Sequence, residues 1–308
     1  MSCIYDDYRF LCSAEDAWGI VLETLAAVGI VFSSALLLAL LIIVPRICGN
    51  AKRAIVPIQF IFLLGTLGIF GLTFAFIVKL NRQTCVTRFF LFGVLFAICF
   101  SCLLVHAIKL LRMVRGGLSM SWWLMLLTIT ALSLVQIIIA ILYVALYLAR
   151  NMSECDFNTA DENARNLDFV LILIYVFLLM AITFLVSMIS MCGSCKYLKR
   201  HCAHIYVTIF FSIGIWVTWI VMLLRGNKSL DKSNQWDDPV RAIALVANGW
   251  VFLIFYMVPE LCLMTTHQSG CDQTKNQSQP HHLRQIVGVN NQVFTQEDSS
   301  QGNETSLC

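Results

Sequence analysis

Long runs of apolar residues alternate with short polar segments along this chain. Twenty residues between Arg88 and Lys109 contain no Asp, Glu, Lys or Arg, and as a helix they extend about 30 Å, the thickness of the hydrocarbon core of a bilayer. Runs long enough to cross a membrane occupy residues 18–44, 55–78, 89–111, 122–148, 169–191, 205–224 and 242–264. The pattern predicts an all-α membrane protein, a bundle of seven transmembrane helices. The run after Arg88 also contains small residues, among them Gly93 and Ala97, which let neighbouring helices approach closely, so we expect it to be the central helix.

The polar segments between the runs are short, so we expect no inserted domain. We expect residues 1–17 to form a short extracellular tail, residues 18–264 the seven-helix bundle, and residues 265–308 a cytoplasmic tail. The last segment is rich in Gln, Asn, Ser and His, a composition typical of disordered chain. The N-terminal stretch MSCIYDDYRF lacks a basic segment followed by an apolar core, so we expect no cleaved signal peptide.

The composition narrows the function classes. The chain has 308 residues, of which 59% are apolar and 13% charged, whereas soluble domains are about half apolar and a quarter charged. The formal net charge is only +3 and no basic tract with interleaved aromatics occurs. We therefore expect a lipid bilayer as the surroundings and no nucleic acid as a partner.

Charge alone does not decide the orientation in the membrane. An extracellular N-terminus leaves eleven Lys and Arg inside and ten outside, but the three inner loops hold no acidic residue. In that orientation Cys3, Cys12, Cys85 and Cys155 lie on the oxidising side. Four cysteines allow three connectivities; we favour Cys85–Cys155 together with Cys3–Cys12. The alternative leaves Cys3 and Cys12 as free thiols.

Several long blocks resemble one receptor family. They are RFFLFGVLFAICFSCLL, PIQFIFLLGTLGIFGLTFAF, AWGIVLET and QWDDP, and they resemble the retinoic-acid-inducible orphan receptors, the class C, group 5 G-protein-coupled receptors. The spans resemble one member of this group, and the tail resembles another. The resemblance covers residues 12–260. It implies a multi-pass receptor at the plasma membrane without a large ligand-binding ectodomain, with no cofactor, with an unknown ligand, and with a heterotrimeric G protein and a second copy of the receptor as partners.

Two features depart from what related receptors carry. The tail after residue 265 contains no Tyr, which argues against a tyrosine-phosphorylation role like that of longer-tailed relatives. The Asp-Arg-Tyr signature that ends the third helix of rhodopsin-like receptors is replaced by KLLRMVRG, which fits class C.

Large aromatic residues mark the sixth and seventh runs. Trp216 and Trp219 lie in the sixth run, and Asn248 and Trp250 in the seventh. Trp216 matches the position at which other class C receptors keep a tryptophan below their ligand cavity. The resemblance implies that Trp216, Trp250 and Asn248 form a transmembrane switch; the alternative is that the aromatics simply pack.

Ionisable residues near the inner ends of the third and seventh runs are candidates for function. Pro259 is expected to kink the seventh helix beside Glu260. We hypothesise that Glu260 pairs with Lys109 or Arg112 and restrains an inactive arrangement; the alternative is that these side chains extend to the lipid headgroups. His106 is expected to form a hydrogen bond with a neighbouring helix.

The segment CGSCKYLKRHCAH follows the fifth run. Its Cys and His residues are of metal-binding type, but the last three are spaced too closely for a usual structural zinc module. We therefore predict no metal site. Juxtamembrane cysteines beside basic residues favour palmitoylation, and the candidates are Cys192, Cys195 and Cys271.

Other membrane functions lack the residues that they need. A seven-span hydrolase needs several intramembrane ligands for zinc, and only His106 lies well within a predicted run. A retinal-binding photoreceptor needs a lysine in the seventh run, which has none. Channels and transporters need charged or broken helices at the midplane, whereas the predicted runs are nearly uncharged. We therefore predict a receptor that is not an enzyme and that transmits through helix rearrangement; a ligand-independent scaffold or constitutively active signalling partner is the alternative.

Overall fold

The structure, a computed structural model, describes residues 17–46, 53–77, 82–117, 120–149, 162–192, 196–226 and 233–266. Seven helices in these ranges are long and apolar enough to cross a membrane. We call them spans 1 to 7, and they are Trp18–Ile43, Val56–Ile77, Thr87–Val114, Trp122–Ala145, Ile174–Met191, Leu198–Arg225 and Asp238–Thr265. The described part of the chain contains no strand, which confirms the predicted all-α fold.

Several helices extend beyond the spans. The α-helices are Ala17–Ile43, Val56–Ile77, Arg82–Val114, Trp122–Ala149, Glu162–Ile172, Ile174–Met191, Lys196–Val221, Ser233–Val251 and Val258–Thr266. A 3₁₀ turn at Val44–Arg46 follows span 1, and π-helical segments occur at Met222–Gly226 and Phe252–Met257. Helices satisfy every backbone polar group internally, which is the requirement that lipid imposes on a spanning segment.

Several serine and threonine hydroxyl groups within the spans bond to their own helix. Each of the following donates a hydrogen bond to the carbonyl four residues earlier: Ser33, Thr66, Thr73, Thr183 and Ser187. This back-bonding satisfies a polar group that lipid could not. Serine and threonine therefore occur in these apolar segments without needing a partner on another helix.

Span 3 is the centre of the bundle, as its sequence predicted. Of the apolar window of span 3, 78% is buried, against 22% for span 1 and 28% for span 4. Spans 2, 4, 5 and 6 all pack against span 3. Phe92, Phe96 and Phe100 follow one another at helical spacing and are fully buried, because this row of side chains faces other helices rather than lipid.

Buried arginines connect spans 3 and 7 at the end of the bundle where span 3 begins, and we call this end the arginine end. Asp238 of span 7 accepts hydrogen bonds from Arg88 of span 3 at 3.0 Å and from Arg241 at 3.1 Å. The Arg88 guanidinium lies over the Phe76 ring, and that of Arg241 over the Phe169 ring. The sequence places these charges near helix ends, but the helix of span 7 begins at Ser233 and carries Asp238 and Arg241 into the bundle.

Spans 1, 2 and 7 approach closely around one ring. Phe70 of span 2 is fully buried between Gly29 of span 1 and Gly249 of span 7. A Cβ added at Gly249 would lie 2.6 Å from Phe70 Cζ, and a Cβ at Gly29 would also clash with the ring. The ring therefore cannot move away from one glycine without approaching the other. Small residues at such positions allow helices to pack within a membrane.

We expect Gly249→Ala to destabilise the bundle by about 1–3 kcal/mol, the usual cost of overpacking a close contact. The measurement is the thermal unfolding midpoint of the purified protein in detergent. The matched control is Gly71→Ala in span 2, because an added Cβ there meets nothing within 4 Å. Equal midpoints for the two variants would contradict the packing described here.

Candidate functional site at the histidine end of the bundle

The end at which span 3 finishes contains a buried carboxylate, and we call it the histidine end. Glu260 of span 7 is fully buried. Its two oxygens lie 2.7 and 2.9 Å from His201 Nδ1, and Oε1 lies 3.4 Å from His204 Nδ1. Both histidines belong to span 6. A carboxylate removed from water needs donors of this kind, so the contact joins spans 6 and 7.

The backbone of span 7 changes its winding just before Glu260. The π-helical segment Phe252–Met257 ends where the Val258 N–H donates to the carbonyl of Leu253, and Pro259, which follows, has no N–H to donate. Wider winding before a proline accommodates the ring that an α-helix would exclude. Tyr256 and Glu260 are four residues apart and both fully buried, so the segment directs two polar side chains to the same side of the helix.

The helix of span 6 begins earlier than the sequence predicted. The apolar run starts at residue 205, but the helix begins at Lys196. Leu198, His201 and Ile205 are buried, while Lys199 and Arg200 are exposed. A helix can therefore extend past the end of its apolar run, because the basic residues occupy the opposite face. The sequence placed only His106 well within a run. The structure adds His201, which is buried near the beginning of span 6.

His106 of span 3 joins the same site through a tyrosine. Its Nδ1 lies 2.8 Å from the Tyr256 hydroxyl, which confirms the predicted hydrogen bond to a neighbouring helix. The His106 and His201 rings have centroids 6.2 Å apart. The four side chains His106, Tyr256, His201 and Glu260, which we call the polar centre, are all buried and link spans 3, 6 and 7.

Lys109 and Arg112 differ in their surroundings. Lys109 lies on span 3 less than one turn beyond His106 and is buried, whereas Arg112 is exposed. The described hydrogen bonds of Glu260 come from the two histidines of span 6. The ion pair of Glu260 with Lys109 or Arg112 stays a prediction.

The aromatic candidates lie in two separate places. Trp216 is fully buried, with ring centroids 5.0 Å from both Phe96 of span 3 and Phe177 of span 5. Trp250 instead packs against Phe70 of span 2. Asn248 is buried and donates to the carbonyl of Ala244. The switch that these residues were predicted to form stays a prediction.

Most of the cysteine predictions concern parts of the chain that the structure does not describe. Cys3, Cys12, Cys155, Cys195 and Cys271 lie outside the described residues, and so does the side chain of Cys85. Both predicted disulfides therefore stay predictions. Cys192 is exposed at the end of the fifth span, a position open to the acylation that was predicted.

The sequence reasoning missed Tyr256 and His201 as members of the polar centre. Tyr256 and Glu260 are four residues apart in the last run, and His201 and His204 are three apart before the sixth. Both spacings place polar side chains on one face of a helix, and this signal could have indicated an intramembrane site. The contact between Glu260 and His201 itself joins residues 59 positions apart, which no local pattern reveals.

The fold and this centre define a seven-helix membrane bundle whose third, sixth and seventh helices are tied together at one end. The family described as "7 transmembrane sweet-taste receptor of 3 GCPR" matches residues 12–260. The mouse "Retinoic acid-induced protein 3" is 48% identical over 96% of the chain and 83% of its own length. The human protein of that name is 46% identical over 96% of the chain and 82% of its own length.

The mouse "G-protein coupled receptor family C group 5 member B" is 43% identical over 82% of the chain, which spans 60% of that relative. The chain belongs to the class C, group 5 family of seven-transmembrane G-protein-coupled receptors. The family resemblance found in the sequence blocks is thereby confirmed. The chain is a multi-pass membrane protein, and its relatives are orphan-type receptors whose ligand is unknown.

Proposed function

We propose that this receptor acts at the plasma membrane with its N-terminus outside and its histidine end towards the cytoplasm, and that it signals to a heterotrimeric G protein. The observation that carries the proposal is the hydrogen bonding of Glu260 to His201, which ties span 7 to span 6 beside the link from His106 to Tyr256. Signal transfer by helix rearrangement requires an element with two arrangements. The polar centre is suited to hold one of them.

The energetic argument concerns the separation of spans 6 and 7. Hydrogen bonds to a charged group contribute about 1.5–3 kcal/mol net, and a buried carboxylate that loses its donors is strongly disfavoured. An equilibrium between a closed and an open histidine end is therefore biased towards the closed form by the polar centre. A difference of about 1.4 kcal/mol changes such an equilibrium tenfold, so removing the charge should alter basal signalling measurably.

We expect Glu260→Gln to raise basal signalling on the order of tenfold, because the amide binds the histidines less strongly than the carboxylate does. The measurement is agonist-free G-protein dissociation in cells, normalised to receptor at the cell surface. His201→Gln should raise basal signalling in the same direction. Arg115→Gln is the control, since Arg115 is exposed just beyond the end of span 3 and belongs to neither proposed restraint.

The alternative restraint, an ion pair of Glu260 with Lys109 or Arg112, remains a proposal with a separate test. In that case Glu260→Lys raises basal signalling, and adding Lys109→Glu or Arg112→Glu restores it. If the histidine restraint operates instead, neither second substitution compensates. Unchanged basal signalling in all the Glu260 and His201 variants at normal surface expression would contradict the proposed restraint and favour the ligand-independent scaffold.

Four further parts of the proposal await their own tests. We propose that Trp216, Trp250 and Asn248 change their packing between the two arrangements, and that two copies of the receptor associate. We also propose that the Cys85–Cys155 and Cys3–Cys12 disulfides form on the outer side. Finally, we propose palmitoylation at Cys192, Cys195 and Cys271, supported by the basic residues near the first two. The receptor family to which the chain belongs favours signalling over catalysis, so we propose no enzymatic activity.

A further inference from the structure

We propose that the polar centre is a binding site for a transition-metal ion of the Zn²⁺ class, held by His106, His201 and Glu260. The site goes beyond the proposed function, because metal binding can be measured without any signalling. The three residues come from spans 3, 6 and 7, so an ion held by them would join all three helices. The sequence had predicted no metal, because only His106 lay well within a predicted run and the Cys and His residues after the fifth run were spaced too closely for a usual zinc module.

The geometry brings three ligand atoms together. One ligand atom from each of His106, His201 and Glu260 lies within 4.8 Å of the other two. Bonds of about 2.0–2.2 Å in a tetrahedral site place ligand atoms ~3.4 Å apart. The side chains must therefore contract by about 1.5 Å at most, which small torsional changes of an imidazole or a carboxylate can provide.

A second observation points to a ligand at this position. Among the residues that the structure describes, none forms a hydrogen bond with His106 Nε2, although this atom is buried. The other ring nitrogen, Nδ1, is engaged by the Tyr256 hydroxyl at 2.8 Å. A ligating histidine usually has its second nitrogen held by such a partner, which fixes the ring orientation. The proposal therefore assigns Nε2 as the metal-binding nitrogen of His106, with Nδ1 held by Tyr256.

The ligand types select the class of ion. Two imidazoles and one carboxylate suit zinc and its neighbours in the first transition row, whereas Mg²⁺ and Ca²⁺ require mostly oxygen ligands. The negative charge of Glu260 also lowers the electrostatic cost of holding a cation within the bundle. His204 contacts Glu260 Oε1 at 3.4 Å but is not among the residues whose ligand atoms lie within 4.8 Å of one another, so water would complete the coordination.

His204 also provides a route for the ion. Its side chain is 22% exposed, while those of His201 and Glu260 are 5% and 0% exposed. An ion entering from the histidine end would meet the partly exposed imidazole before the buried ligands. Once bound to all three spans, the ion would oppose their separation.

The experiment uses the full-length receptor, purified in detergent with any polyhistidine tag removed and stripped with EDTA. We expect one Zn²⁺ per receptor by calorimetric titration, and a rise in the unfolding midpoint on the order of 5 °C at saturating Zn²⁺ but not with Mg²⁺. X-ray absorption at the zinc edge should show nitrogen and oxygen neighbours at about 2.0–2.1 Å and no sulfur near 2.3 Å. Sulfur neighbours would mean that the cysteines after the fifth span bind the ion, and would overturn the proposal.

His106→Gln should weaken Zn²⁺ binding at least tenfold, in line with the loss of a direct ligand, while the glutamine can still bond to Tyr256. The control is the double variant His281→Gln, His282→Gln in the tail, which should bind Zn²⁺ as the parent does. Equal binding by the His106 variant, or loss of binding in the tail variant, would overturn the site. If the His106 variant does not fold, the X-ray absorption spectrum of the unaltered receptor tests the site. Nitrogen and oxygen neighbours of the zinc support it, and sulfur neighbours overturn it.

Discussion

Replacing Trp216 by alanine is expected to destabilise the receptor by about 3–5 kcal/mol, the usual cost of removing a fully buried large aromatic side chain. The indole ring packs at 5.0 Å from Phe96 and Phe177 and at 5.5 Å from Trp219, measured between ring centroids. Its removal leaves a cavity among rings from spans 3, 5 and 6, and the dispersion contacts on every side are lost. The measurement is the thermal unfolding midpoint in one detergent, with all variants purified in parallel.

The matched control for Trp216→Ala is Trp123→Ala in span 4. Trp123 is 65% exposed and its main aromatic contact is with its neighbour Trp122, so its removal creates no buried cavity. We expect a change below about 1 kcal/mol for this variant, within the range of surface substitutions. Similar midpoints for the two alanine variants would show that Trp216 does not hold the three spans together.

Asp238→Asn is expected to destabilise the receptor by about 2–3 kcal/mol. The carboxylate binds the guanidinium groups of Arg88 and Arg241, which are 2% and 5% exposed. Removing one charge from a buried ion pair costs about 3–5 kcal/mol. The expected effect is smaller here because the Asp238 side chain is 34% exposed, and water screens part of the interaction.

A double-mutant cycle tests this ion pair against a general loss of structure. Arg88→Met and Asp238→Asn should not be additive, because the two residues share one interaction. Asp168→Asn is the control, since Asp168 is an exposed carboxylate just before Phe169, and we expect no measurable change there. Additive effects of the Arg88 and Asp238 substitutions would contradict the link between spans 3 and 7 at the arginine end.

Sequence patterns predicted the bundle correctly because lipid imposes a simple rule on the chain. A segment that crosses the hydrocarbon core must be apolar over about 20 residues, and each of the seven runs carries this signature by itself. A second feature indicated the central helix, since the run after Arg88 contains the small residues Gly93 and Ala97, which allow neighbouring helices to approach closely. The hydrogen bond of His106 was predictable in kind, because a buried imidazole requires a partner.

The ends of the helices were less predictable. The span 6 helix begins at Lys196 and the span 7 helix at Ser233, each before its apolar run. At span 6, Lys199 and Arg200 face away from neighbouring spans while His201 pairs with span 7. At span 7, Asp238 pairs with Arg88 of span 3. Hydropathy along the chain detects neither of these helix extensions, because it averages over all faces of a helix. His201 and Asp238 therefore lay outside the predicted apolar runs, although both take part in contacts between spans.

The sequence by itself determined the seven spans, the central position of the third and the membrane surroundings, because each depends on the composition of a continuous segment. Only the tertiary structure decided which partners the buried charges take. Glu260 meets His201 rather than residues of its own helix, and Asp238 meets Arg88 from 150 positions earlier. Such pairs depend on how whole helices rotate and pack. In lipid, that packing is set by close contacts such as those of Phe70 with Gly29 and Gly249.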